Sequence, residues 1–144
     1  MKQEVRSMLD NVFFFLRHKE DVLYLYNDMS VSEALEILER YHFTALPVIN
    51  KEGNYVGTLS EGDFLYYCLN HEDRSIPIKK LIRKNFNLAC TITTPVAELF
   101  KRSLDQNFVP IVDDRNIFIG IVTRKRILTF LMKQLQDHKS NPSV

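Results

Sequence analysis

The chain matches itself when displaced by 63 positions, the distance from Pro47 to Pro110. In that register Ala34 falls on Ala97, Ile37 on Phe100 and Tyr41 on Leu104. Leu46-Pro47-Val48-Ile49 falls on Val109-Pro110-Ile111-Val112. Tyr55-Val56-Gly57-Thr58-Leu59-Ser60 falls on Phe118-Ile119-Gly120-Ile121-Val122-Thr123. Phe64, Leu65, Cys68 and Leu69 meet Ile127, Leu128, Leu131 and Met132. Identities are few, but the apolar pattern persists through both spans without a gap. A repeat of this kind means two similar half-size units, each burying an apolar face that it cannot cover alone.

Each unit reads as strand, helix, strand, strand, helix. Val22 to Tyr26 has the β-rich composition of a strand. Ser30-Val31-Ser32-Glu33 matches a capping box, worth about 1 kcal/mol. It opens a helix whose apolar stripe is Ala34, Leu35, Ile37, Leu38 and Tyr41, and His42 at its end suits the negative pole of the helix dipole. Leu46 to Ile49 and Tyr55 to Leu59 are short strands about a Lys51-Glu52-Gly53-Asn54 turn. In the second unit Pro95 is expected at the first helical position, and Asp113-Asp114-Arg115-Asn116 forms the turn. The final helices carry stripes wide enough to need a helical partner, in the other repeat or in another subunit. The organisation expected is an N-terminal helical segment over 1–19, repeats over 20–70 and 85–136, and a linker over 71–84 with a short helix at Ile78 to Ile82. A polar, frayed tail follows over 137–144.

Composition excludes several classes. The chain of 144 residues is 45% hydrophobic and 26% charged with a formal net charge of +1, so neither disorder nor bulk attraction to nucleic acid is expected. The apolar run Val12 to Leu16 is closed by Arg17-His18-Lys19, too short to span a membrane and without a secretory cleavage pattern. A cytoplasmic location is expected. Cys68 and Cys90 have no metal or redox spacing and read as buried thiols. The four histidines, His18, His42, His71 and His138, are scattered, and no acid–base pair or glycine-rich phosphate loop stands out, so neither catalysis nor a metal is expected. Lys79-Lys80, Arg83-Lys84 and Arg124-Lys125-Arg126 read as solvated helix faces or as phosphate contacts to a small ligand.

The succession Phe-Thr-Ala-Leu-Pro-Val-Ile-Asn (43–50), Gly-Thr-Leu-Ser-x-x-Asp (57–63), Asn-Phe-Val-Pro-Ile-Val-Asp (107–113) and Gly-Ile-Val-Thr (120–123) resembles paired CBS domains over about residues 20 to 136. The resemblance implies an α/β (α+β) fold of two β-α-β-β-α repeats related by a pseudo-two-fold axis. It also implies clefts for an adenine nucleotide such as AMP, ADP, ATP or cyclic di-AMP, with no other cofactor. In this family a hydroxyl residue followed three positions later by Asp marks the cleft, which points to Ser60 and Asp63. The hydroxyl and the first helix amides suit a phosphate, and the carboxylate suits a ribose diol. Leu88, Asn107 and Phe108 would wall the purine across the axis.

The second repeat departs from that pattern: Thr123 is followed by Arg124 and Arg126, with arginine at the ribose position. Arginine there either fills the cleft or forks onto phosphates, as in similar bacterial pairs that bind cyclic di-AMP. The opposite wall would be Thr44, Ala45 and Leu46. The resemblance further implies a regulatory homodimer that signals to an unidentified protein partner. The alternative is an interaction scaffold with empty clefts.

Overall fold

The computed structural model describes residues 11–140. In chain order the elements are α1 (Val12–Phe15), β1 (Arg17–His18), a 3-10 turn (Lys19–Asp21), β2 (Leu25–Tyr26), α2 (Val31–Tyr41), β3 (Ala45–Ile49), β4 (Tyr55–Ser60) and α3 (Glu61–Asn70). A second 3-10 turn (Ile78–Leu81) leads to β5 (Cys90–Thr91), α4 (Val96–Arg102), β6 (Phe108–Val112), β7 (Phe118–Thr123) and α5 (Arg124–Ser140). Each repeat therefore supplies the expected β-α-β-β-α order in a mixed α+β fold. One sheet runs β2-β3-β4, the other β1-β7-β6-β5. Among the described residues no helix is long and apolar enough to cross a membrane.

Local chemistry explains most boundaries. The Ser30 hydroxyl accepts the Glu33 amide at 3.1 Å and donates to the Glu33 carboxylate at 3.1 Å, so the glutamate closes on the hydroxyl rather than on the backbone. Helix α2 ends at His42, whose left-handed backbone (φ 56°) donates its amide to Leu38. Pro95 lies one position earlier than expected, as the cap ahead of α4. The strand expected from Val22 shortens to Leu25–Tyr26. Val22 closes the preceding turn through its amide to the Lys19 carbonyl, and Val22 and Tyr24 pack into the core between the repeats.

The two hairpin turns meet on the pseudo-axis. Gly53 (φ 88°) and its equivalent Asn116 (φ 63°) take the left-handed conformation the turns need. The Phe118 amide donates to Gly53 at 2.9 Å and the Tyr55 amide to Asn116 at 3.1 Å, so each turn caps the other. Beneath them the equivalent rings of Tyr55 and Phe118 stack with centroids 6.3 Å apart. Ile49, Phe108, Phe118 and Ile121 form the core that joins the halves.

Each repeat is finished by the segment that precedes the other. Val12 and Phe15 enter the second repeat's core with Cys90, Leu99, Val109 and Val122, and β1 pairs antiparallel with β7. The linker residue Ile78 is fully buried in the first repeat's core with Leu25, Val31 and Leu46. The linker is fastened there by amides of Val31 to Ile76, and of Ile78 to Met29, at 3.0 and 2.9 Å. The equivalent glycines Gly57 and Gly120 admit these incoming segments. A Cβ at Gly57 would lie 2.6 Å from the Ile82 Cγ2, and one at Gly120 would overlap the Arg17 carbonyl.

The ends differ from the sequence reading. Of the helical segment expected over 1–19, residues 1–10 lie outside the described residues, and the described part holds one helical turn followed by a strand. The tail expected from Asp137 is helical as far as Ser140, because α5 continues its intrahelical bonding beyond the last buried contact at Phe130; residues 141–144 lie outside the described residues. The stripes on the final helices split. Phe64 and Ile127 are buried, while Leu65, Leu69, Leu128 and Met132 face outward and are more than half exposed.

Candidate functional site

Two clefts flank the seam between the repeats, with Ala45, Asn107 and Phe108 lining both. The first is a hollow of about 480 Å³, within the range of small-molecule sites. The first repeat supplies Ala45 and Thr58. The second supplies the loop Asn85 to Leu88, with Arg102 and Asp105 to Phe108. Leu88, Asn107 and Phe108 are thus brought together as the sequence reading expected. Asn85 and Asn87 hold left-handed backbones (φ 60° and 54°), which bend this loop over the hollow.

A polar network stiffens the floor. The Tyr55 hydroxyl donates to the Asn87 carbonyl at 2.7 Å and accepts from the Thr58 hydroxyl at 2.7 Å. The Asn87 amide group donates to Thr58, and Gln106 donates to the Asn87 side-chain oxygen at 2.6 Å. Burial pushes the Tyr55 phenol up to about 12, against the smaller opposing effect of its bonds to Thr58 and Asn87. It is therefore a neutral donor at any physiological pH.

Ser60 and Asp63, expected from the sequence to line this cleft, are not among its lining residues; Ser60 pairs with the lining residue Ala45, and the two are bonded to each other. Asp63 Oδ2 accepts the Ser60 amide at 2.8 Å and the Ser60 hydroxyl at 3.0 Å, and the hydroxyl accepts the Asp63 amide at 3.3 Å. This capping box starts α3. The Asp63 carboxylate also receives Arg83, Nε to Oδ1 at 2.8 Å and Nη2 to Oδ2 at 3.3 Å. Arg83 lies over the Phe86 ring at 3.7 Å, and Phe86 lines the hollow.

The second cleft holds two neighbouring hollows with a shared wall. The inner one, about 200 Å³, is lined by Val22, Leu23, Thr44, Ala45, Leu46 and Ile121 among others. The outer one, about 450 Å³, is lined by Phe15, His18, Lys125, Arg126 and Thr129 among others. Arg17, Asp21 and Thr123 line both. The Thr123 hydroxyl accepts the Arg126 amide at 3.0 Å and caps α5. The Arg126 guanidinium lies 5.1 Å from the Phe14 ring and donates to the Phe14 carbonyl at 3.4 Å. Arg124, read from sequence as a phosphate fork, instead donates to the Ser103 and Leu104 carbonyls at 2.6 and 3.2 Å. Those oxygens end α4 and lack helical partners, which draws the guanidinium away from the cleft.

The CBS domain family model matches residues 16–70 and again 75–133. The chain belongs to the CBS domain family. The fold of this CBS pair is similar to that of CbpB in complex with c-di-AMP, with a TM-score of 0.87 and 26% identity over 97% of this chain and 96% of that one. CbpB from Streptococcus agalactiae superposes with a TM-score of 0.82 at 25% identity, covering 97% of this chain and 92% of its own. Among curated relatives, inosine-5'-monophosphate dehydrogenase of Methanocaldococcus jannaschii is 31% identical over 112 residues, 76% of this chain. An A-adding tRNA nucleotidyltransferase of Aquifex aeolicus is 31% identical over 138 residues. The chain spans 21% and 15% of the length of these two enzymes.

Within the CBS pair, Thr44, Ala45 and Leu46 come together with Thr123 in the inner hollow, and Arg126 in the outer one. Arg17 and Asp21 were missed. Arg17 belongs to the Arg17-His18-Lys19 run, which reads only as the end of an apolar stretch, and no pattern points to Asp21. Cys90 is buried as expected, and burial raises its thiol, whereas Cys68, also read as buried, is only half-buried on α3. Among the described residues no group of three or more His, Cys, Asp or Glu is placed to hold a metal ion.

Proposed function

We propose that this CBS pair is a non-catalytic regulator that binds an adenine nucleotide in its second cleft, with cyclic di-AMP the preferred ligand. The observation that carries this reading is the pair of neighbouring hollows with Arg17 in their shared wall and Lys125 and Arg126 in the outer one. A cyclic dinucleotide has two flat bases separated by two phosphates. The inner hollow, walled by Leu23, Ala45, Leu46 and Ile121, suits one purine. The cations and the amino end of the 17-residue α5 suit phosphate oxygens. CbpB, whose fold matches over nearly the whole chain, is known in complex with c-di-AMP, which supports the same ligand class here.

In the first cleft Asp63 is the residue that would accept the diol of an adenine mononucleotide. A ligand bridging β3 and β7 shifts the relative orientation of the repeats, and a partner protein reads that shift. The outward apolar edge of α3 and α5, including Leu65, Leu69, Leu128 and Met132, suits a second copy of the chain. Sedimentation of the wild type is expected to show a dimer, and the paired Leu65→Glu and Leu128→Glu variant a monomer; a monomeric wild type removes this part of the proposal.

The test of the ligand is Arg126→Asp. Cyclic di-AMP affinity by calorimetry is expected to fall about 100-fold, because the change removes one charge-assisted phosphate contact and adds a repulsion. With the ligand at 100-fold its dissociation constant, the wild-type protein should gain about 2.7 kcal/mol against unfolding. No melting shift with cyclic di-AMP, AMP, ADP or ATP would sink the sensor reading and leave a ligand-free scaffold. A gain of binding in Arg126→Asp would show that the arginine blocks the cleft.

A further inference from the structure

The 63-residue repeat places Asp63 and Arg126 at equivalent positions, yet neither of these two positions offers a free carboxylate. In the second repeat the residue is a cation. In the first, the carboxylate is present but taken. The Asp63 side chain is only 10% exposed, and its accessible edge is covered by the Arg83 guanidinium in a two-pronged contact at 2.8 and 3.3 Å. The Ser60 amide and hydroxyl go to Oδ2, which Arg83 Nη2 also meets, and Oδ1 receives Arg83 Nε. A carboxylate has about four acceptor directions, and Arg83, with one donor on each oxygen, competes with a ribose diol for those that Ser60 does not use.

The arginine is held there from two sides. Its guanidinium stacks on Phe86 at 3.7 Å, on the rim of the first hollow. One residue earlier, Ile82 packs onto the first repeat's core and fills the space left open by Gly57. The linker that completes the first repeat therefore also delivers a charge to that repeat's diol acceptor.

We infer that Arg83 is an intramolecular gate on the first cleft, occupying Asp63 in place of a ribose diol and thereby excluding adenine mononucleotides from it. The inference rests on the assignment of Asp63 as the diol acceptor, and it deepens that reading by making the two clefts unequal. The native chain then binds AMP weakly and takes cyclic di-AMP in the second cleft alone, one per chain.

Calorimetric titration with AMP and 2'-deoxy-AMP tests the gate, using native protein, Arg83→Gln, Arg83→Lys and the double variant Arg83→Gln with Asp63→Asn. Arg83 is half exposed and asparagine retains a capping oxygen, so these variants keep the fold. Arg83→Gln is expected to bind AMP about tenfold more tightly than native, the scale of one charge-assisted hydrogen bond released for the ligand. Arg83→Lys, with a point charge in place of the fork, should fall between the two. The gain should be absent with 2'-deoxy-AMP and absent in the double variant. Unchanged or weaker AMP binding by Arg83→Gln overturns the gate, as does a gain that persists without the 2'-hydroxyl or after Asp63→Asn. Cyclic di-AMP binding lost in Arg126→Asp, with no gain in Arg83→Gln, would refute the gate and leave the second-cleft reading intact. The opposite pair of results would refute that reading and leave the gate standing.

Discussion

Gly120→Ala is expected to cost roughly 3 kcal/mol or more of folding stability, the scale of a forced overlap in a packed interior. At position 120 the strand β7 passes so close to β1 that a methyl group would overlap the Arg17 carbonyl, and it would also meet the Leu16 Cδ1 at 2.9 Å. The neighbour is backbone, held in register by the pairing of His18 with Gly120 and of Arg17 with Ile121. It cannot swing aside as a side-chain end can. The alternative to overlap is to expel residues 16–18 from the sheet, which takes Arg17 from the wall of the second cleft and Phe15 from the core. A fall in melting temperature of roughly 10 °C follows, together with loss of cyclic di-AMP binding. Gly57→Ala is the comparison: its neighbour is the Ile82 side chain rather than backbone, so a smaller cost of roughly 1–2 kcal/mol is expected there. Equal melting of Gly120→Ala and native protein would show that β1 is not seated on β7.

Phe15→Ala should be comparably severe, about 3–5 kcal/mol for a fully buried phenylalanine. Phe15 is 2% exposed, and its ring meets Phe14, Phe100 and Phe130 edge to face with centroids 5.0, 5.4 and 5.2 Å away. Each such pair adds to the area buried because the positive ring edge meets a negative face. Phe13, two residues away on the same turn, is 49% exposed, and Phe13→Ala should change stability by no more than about 0.5 kcal/mol. Chemical denaturation of the two variants compares them directly. A Phe15→Ala cost no larger than that of Phe13→Ala would mean that the segment before the first repeat does not finish the second.

Much of the site was legible because it lies on the repeat itself. Thr44, Ala45 and Leu46 precede or begin β3, and Asn107 and Phe108 hold the same positions at β6. A pseudo-two-fold arrangement necessarily brings those strand ends together across the seam. Thr123 could be placed for the same reason. Three charged residues were not legible. Arg83 lies 20 positions from Asp63 and looks like part of a solvated basic run, since no local pattern encodes a pairing made by the path of the linker. Arg124 reads as a phosphate ligand until α4 is seen to end beneath it with unpaired carbonyls. Arg17 belongs to a two-residue strand, too short for any periodicity to announce.

The order of elements, the turn positions and the equivalence of the halves were determined by the sequence alone, because strand and helix periods and turn chemistry act over a few neighbouring residues and occur twice. Tertiary structure decided which core each connecting segment would complete. Residues 11–18 go to the second repeat and 76–82 to the first, a crossing that depends on the space left at Gly120 and Gly57. An apolar run such as Val12 to Leu16 specifies burial but not against which half, and that choice places the cations of the second cleft and seals the carboxylate of the first.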